Sequence, residues 1–247
     1  MADHSLIYDK INANRAYHLS TALSEAVEWL AKEKPFGRRT GEYKWLSRFR
    51  TPDVDTVTVH DFLKTFQLVR QGWDLEACTA VVNDMIADAS FDPEVSIAVI
   101  ADRFRPLTKS GYVQTSAATK FATFAKPLHQ VFIWDQLATR SVRLHQWHVT
   151  GRSAKGGLAD LYVNEGGKHS YPDYAAACTL KLEAERNRAD FRETVAALTE
   201  KLDQFDGICA DRSVVTPEFI ERRLLDKLCF VEGDSIRALS KARNKAA

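Results

Sequence analysis

Helix punctuation constrains this chain more than any other feature. Apolar residues recur every three or four positions, and the recurrence is repeatedly opened by Asp, Thr or Pro and closed by Gly or Pro. Tyr8, Ile11, Leu19, Leu23, Val27 and Leu30 predict one helix from Tyr8 to Lys32, ending at Pro35 and Gly37. Thr58 is the predicted N-cap of a helix through Gln71, with Gly72 as its stop. Leu75–Ala89 follows, and Asp92-Pro93-Glu94 opens the next helix, through Phe104. A long helix is predicted from Tyr174 to Lys201. Its Glu and Arg at i,i+3 and i,i+4 spacing read as a solvated face, with no catalytic weight. Thr216-Pro217-Glu218 begins a last core helix, followed by Gly233 and a polar basic tail. Only Val54–Val59 alternates like a strand, and it has no clear partner. The expected fold is therefore all-α, with a small sheet as a minor alternative.

Charge is distributed unevenly along this helical frame. The chain has 34 Lys/Arg and 33 Asp/Glu. Between Arg103 and Ala159 stand nine Lys/Arg, three His and one acid, Asp135. The remaining residues then carry 25 basic against 32 acidic side chains. Such polarity favours an anionic partner, of which nucleic acid is the commonest. A satellite basic patch, Lys32 to Arg50, reads equally as a solvated helix or a phosphate-contacting one.

Several other classes find no support. No apolar run approaches the roughly 18 residues of a membrane span, and the N-terminus lacks the basic-then-apolar pattern of a signal peptide. Cys78, Cys178, Cys209 and Cys229 are far apart and sit among apolar neighbours. That predicts buried, reduced thiols in a cytoplasmic protein. His145 and His148 share a helix face, but no carboxylate or Cys lies in the following 11 residues. No metal and no cofactor is expected. Neither a nucleotide-binding Gly motif nor a Ser-His-Asp elbow is present.

Within the basic segment, Pro106 and Gly111 mark a turn, and Thr115 or Ser116 is placed to cap a helix through Ala125. An extended Val131-Phe132-Ile133-Trp134 follows. Asp135 then stands where a helix through Trp147 begins, as an N-cap favoured by the positive helix end. Five Gly between Thr150 and Gly167 mark a loop or turn cluster.

The run Ser116-Ala117-Ala118-Thr119-Lys120-Phe121, followed after an apolar stretch by Phe132-Ile133-Trp134-Asp135, resembles the helix-hairpin-helix (HhH-GPD) DNA glycosylase superfamily, in a divergent bacterial-type form. The resemblance covers about 30 residues. Three departures stand out. Ser116-Ala117-Ala118 replaces the hairpin's G-x-G, the Lys120–Asp135 interval is 15 residues, and no Cys cluster for an iron–sulfur centre follows.

The resemblance implies a two-lobed all-α enzyme with a helix-hairpin-helix-like element and a central cleft. The expected lobes are 1–50 plus 160–247, and 51–159. The implied activity is excision of a damaged or modified base from double-stranded DNA, leaving an abasic site. The departures extend this to nonstandard bases of foreign (phage) DNA. Asp135 and Lys120 are the implied catalytic residues. A carboxylate stabilises positive charge developing on the sugar, and an amine either attacks the sugar carbon or holds a phosphate. Ser116, Thr119, Lys109, Arg140, Arg143, Arg152 and Lys155 are candidate DNA contacts. Tyr112, Gln114, Trp134, Trp147 and His148 are candidates for the base pocket or for the wedge that fills the gap of a flipped base. No membrane and no obligate protein partner is expected. The alternatives are a noncatalytic helical DNA-binding module, with Asp135 only a cap, and a helical protein–protein adaptor.

Overall fold

The computed structural model describes residues 4–30, 41–151, 170–205, 209 and 211–246. Eleven α-helices and no strand occur among them, so the fold is all-α. In order they are α1 (His4–Ala13), α2 (Arg15–Leu30), α3 (Lys44–Arg48), α4 (Thr56–Thr65), α5 (Leu75–Ala87), α6 (Pro93–Phe104), α7 (Thr115–Ala125), α8 (Gln136–Thr150), α9 (Tyr171–Arg186), α10 (Ala189–Asp203) and α11 (Pro217–Ala246). None of these helices is long and apolar enough to cross a membrane.

Local polar chemistry sets many of the boundaries. Asp92 Oδ1 accepts the Glu94 N–H at 3.0 Å with Pro93 in the first turn, as the sequence predicts. The alternating run at 54–59 forms no strand. Asp55 Oδ1 accepts the Thr58 N–H at 2.7 Å and starts α4 upstream of the predicted Thr58 cap. The two long predicted helices are each divided at an Asn. Asn14 Nδ2 donates to the Lys10 carbonyl at 2.8 Å between α1 and α2, and Asn187 Nδ2 donates to that of Glu183 at 3.0 Å after α9. Asn side chains compete for backbone groups, which favours such interruptions.

The chain divides into two compact units, residues 1–26, 134–201 and 220–247, and residues 27–133 and 202–219. These bounds differ from the lobes that the resemblance implies, 1–50 plus 160–247 and 51–159. The basic segment is divided between the units after Ile133.

In the unit 27–133 plus 202–219 the core is aromatic. Phe62 stacks on Phe121 at 4.1 Å between ring centroids and meets the edge of Trp45 at 5.2 Å. Phe49, Phe66 and Phe124 surround it. Such ring pairs contribute roughly 0.5–1.5 kcal/mol each beyond their buried area. Small buried residues on α7, Ala117, Ala118 and Ala122, let that helix approach its neighbours closely. Lys126 Nζ, after α7, donates to the carbonyls of Ile86 and Asp88 at 2.9 and 2.6 Å and closes the end of α5.

The unit 1–26, 134–201 and 220–247 combines an apolar cluster of Ile11, Leu144 and Ile236 with a buried ionic chain. Arg15 on α2 pairs with Glu185 and, at 2.6 Å, with Asp190. Lys181 lies 3.6 Å from Glu185 and 3.0 Å from Glu232 on α11, and Ser141 of α8 donates to Glu232. Burial alone would neutralise these groups, but their partners outweigh it. Glu232 and Glu185 hold Lys181 above the usual lysine range, and Lys181 and Ser141 hold Glu232 below the usual carboxylate range. The sequence reading of α9 as a solvated face is thus corrected. Lys181 and Glu185 continue the buried stripe of Tyr174, Cys178 and Leu182 at helical spacing, a signal available in the sequence.

Two histidines flank this chain. His18 Nε2 lies 3.0 Å from Ser235 Oγ. His145 is buried, and its Nε2 has no hydrogen-bond partner among the described residues. Burial first, then the Lys181 charge, lowers the His145 pKa to about 4. His148 and Arg188 add to the shift and Glu185 opposes it. The unfolded chain takes up a proton near pH 6.5 that the folded chain refuses until about pH 4. Stability present above pH 6.5 is therefore lost as the pH falls, by about 3 kcal/mol at pH 4. His145→Met should flatten that loss in urea unfolding compared between pH 7 and 4.5. A difference between variant and wild type that stays constant with pH would remove His145 as its source.

Candidate active site

The extended run ending at Trp134 delivers Asp135 to the start of α8 with β-type backbone angles (φ −140°, ψ 144°). Its Oδ1 accepts the Leu137 N–H at 2.8 Å and the Ala138 N–H at 3.4 Å. Its backbone carbonyl accepts from the N–H and the hydroxyl of Thr139 at 2.9 and 2.7 Å. Asp135 is half-buried, and its Oδ2 has no hydrogen-bond partner among the described residues. One oxygen thus fixes the carboxylate on the positive end of a four-turn helix. Gly233 of α11 supports this placement. A Cβ at position 233 would overlap the Leu137 carbonyl group and come within 2.9 Å of Leu137 Cα. This glycine lies inside α11, not at the helix end that the sequence suggested.

Along α8 the candidate contacts separate. Arg140 is half-buried, and its Nε lacks a hydrogen-bond partner among the described residues. Arg143 is only 4% exposed, which removes it from the phosphate-contacting set. Trp134 is buried with its ring 4.9 Å from Tyr174, so it is a core residue and no wedge. Trp147 is half-buried edge-on to His4 at 5.2 Å, and the exposed His148 stacks on Tyr8 at 3.6 Å. Both rings are already engaged by α1. Arg152, Lys155 and most of the glycine-rich stretch lie outside the described residues, as do Lys32, Lys34, Arg38 and Arg39 of the satellite patch.

The remaining candidates belong to the other unit. Lys120 Nζ donates to Ser116 Oγ at 2.8 Å, one turn apart in α7, and both side chains are half-buried. Neither Thr115 nor Ser116 caps this helix. Gln114 occupies the cap position without a side-chain bond to the first turn. Thr119 is fully buried and its hydroxyl donates to the Ser116 carbonyl at 3.2 Å, so it is no phosphate contact. Gln114 is also buried. Its amide donates to Tyr112 O at 2.8 Å, Ser110 Oγ at 3.2 Å and Thr108 Oγ1 at 3.3 Å, which makes it a loop brace and not a wedge. Lys109 and Tyr112 are exposed.

Asp135 and Lys120 therefore fall in different compact units. The buried chain of Arg15, Glu185, Lys181 and Glu232 is the charged feature that the sequence reading missed, and its paired, water-excluded groups serve packing. Among the described residues, no group of three or more His, Cys, Asp or Glu is arranged to hold a metal ion. No protein-family model, curated protein or solved structure matches the chain.

Proposed function

We propose that this protein is a DNA glycosylase that hydrolyses the N-glycosidic bond of a damaged or modified base, including nonstandard bases of foreign DNA, and leaves an abasic site. The observation carrying the reading is Asp135. It is the lone acid of the basic segment, anchored through Oδ1 at a helix start with Oδ2 free of hydrogen bonds among the described residues. As the C1′–N bond breaks, its electron pair leaves with the base, which takes up a proton, and positive charge develops on the sugar. A fixed carboxylate stabilises that charge without reorganising, and it orients the water whose oxygen bonds to C1′. Lys120, bonded to Ser116, serves as a cationic phosphate contact.

The competing reading is a noncatalytic DNA-binding module, favoured by the same cap bonds. Asp135→Asn separates the two, because Asn caps a helix about as well as Asp. Base release from duplexes carrying varied modifications, scored as alkali-labile sites, should fall roughly 100-fold or more. Affinity for duplex should change little. Unchanged release in the variant would leave Asp135 a cap. A wild type that releases no base yet binds DNA with a steep salt dependence supports the binding module, and binding indifferent to salt supports an adaptor. A borohydride-trapped adduct at Lys120 would reassign that residue as the nucleophile.

A further inference from the structure

We propose that two copies of this chain pair through the outer face of α6, antiparallel and about a two-fold axis. The pairing is independent of the function proposed above and involves no DNA. Helix α6 buries its inner face through Ile97, Ile100, Ala101 and Phe104. Its outer face is apolar where a solvated helix would carry charge. Val95 is 62% exposed and Val99, one turn on, is 53% exposed. Ala98, between them, is exposed as well. Valine at an exposed helix position lowers helix stability, because the β-branched chain loses rotamer freedom against the preceding turn. Single exposed apolar residues are ordinary on a protein surface. Here three share one stripe at i, i+3 and i+4, the spacing of a helix face that packs. On α5, which packs against α6, the exposed Ala80, Asp84 and Ala87 have short side chains that leave the stripe open.

Charge identifies the occupant. Asp92 and Glu94 stand at one end of this stripe and Arg103 and Arg105 at the other, all four exposed. At about 3.6 residues per turn, Asp92 and Arg103 flank one side of the stripe, and Glu94 and Arg105 flank the other. A two-fold axis perpendicular to the helices, level with Ala98 and Val99, keeps each flank on its own side and reverses its ends. Asp92 then meets Arg103 of the second copy, and Glu94 meets Arg105 of the second copy. Each contact occurs twice, as a self-complementary interface requires. At the axis Ala98 lies against Val99 of the second copy, and its small side chain lets the helix axes approach to roughly 8 Å. Parallel pairing would instead set acids against acids and arginines against arginines. The arginines are available for the contact. Arg103 pairs with Asp84 at 2.5 Å and Arg105 with Asp102 at 3.7 Å, but all four side chains are exposed, and such pairs hold their partners weakly. One helix pair is a small interface, so the dimer is weak and depends on concentration.

Sedimentation equilibrium of the full chain over a concentration series, without DNA, tests the pairing. Wild type should pass from monomer to dimer as concentration rises. Val99→Asp should raise the dissociation constant roughly tenfold or more, because it sets an unpaired charge at the centre of an apolar contact. Asp92 is left unchanged, since its carboxylate caps α6. Glu94→Arg and Arg105→Glu should each stay monomeric where wild type dimerises, since each sets like charges face to face. Mixed one to one, these two variants should associate again, because both 94–105 contacts in the mixed pair join opposite charges. Altered folding of either variant cannot produce that rescue. A wild type that stays monomeric at roughly 1 mM would overturn the proposal, with a different protein as the remaining occupant of the face. A dimer that all three variants leave intact would overturn it as well, since it would use another surface. So would a wild-type dimer with no association in the mixture, which would exclude the antiparallel register.

Discussion

Lys181→Met should destabilise the protein by about 3–5 kcal/mol, because it leaves buried carboxylates without their cation. Lys181 stands between Glu232 at 3.0 Å and Glu185 at 3.6 Å, all three deeply buried. The two carboxylates are not equally exposed to its loss. Glu185 keeps Arg15, whereas Glu232 keeps, among the described residues, the Ser141 hydroxyl as its hydrogen-bond partner. The penalty should therefore concentrate on Glu232. Lys181→Met combined with Glu232→Gln should recover much of it, since the neutral amide needs no counter-charge. Urea unfolding of the single and double variants measures both effects. A single variant within 1 kcal/mol of wild type would mean that water reaches the pair.

What the sequence disclosed and what it concealed follow from the range of the forces involved. Asp135 was readable as a cap because a cap is a local event. An Asp after an extended run and before a helical pattern has one favoured use, and the Oδ1 bonds to Leu137 and Ala138 follow from it. Asp92-Pro93 was readable for the same reason. Lys181 and Glu185 were misread because charge at i,i+4 describes an exposed helix face equally well, and their counter-charges are distant in the chain: Arg15 stands 170 residues from Glu185, and Glu232 stands 51 residues from Lys181. Thr119 and Arg143 carry polar labels that say nothing about which side of a helix meets the core. Nothing in the sequence ranked the wedge candidates. Burial alone separated Tyr112 from Gln114 and Trp134.

Gly233 illustrates the limit from the other side, and its substitution should reverse an ordinary rule. Gly to Ala inside a helix normally stabilises by about 1 kcal/mol through backbone entropy. At Gly233 the added methyl would overlap the Leu137 carbonyl, a backbone group that no rotamer change can move aside. The first turn of α8 must then shift or α11 must bend, at a cost of about 1–3 kcal/mol or more. Gly233→Ala should therefore be net destabilising, against the helix propensity. The shift falls on the residue whose N–H holds Asp135 Oδ1 at 2.8 Å. Under the function proposed for Asp135, a displacement there carries its carboxylate out of place, so base release should fall further than stability alone accounts for. Comparing Gly233→Ala with wild type by urea unfolding, and by base release at a temperature where both are folded, checks the two effects separately. A more stable variant would show that α8 and α11 are not in the close contact on which the placement of Asp135 depends.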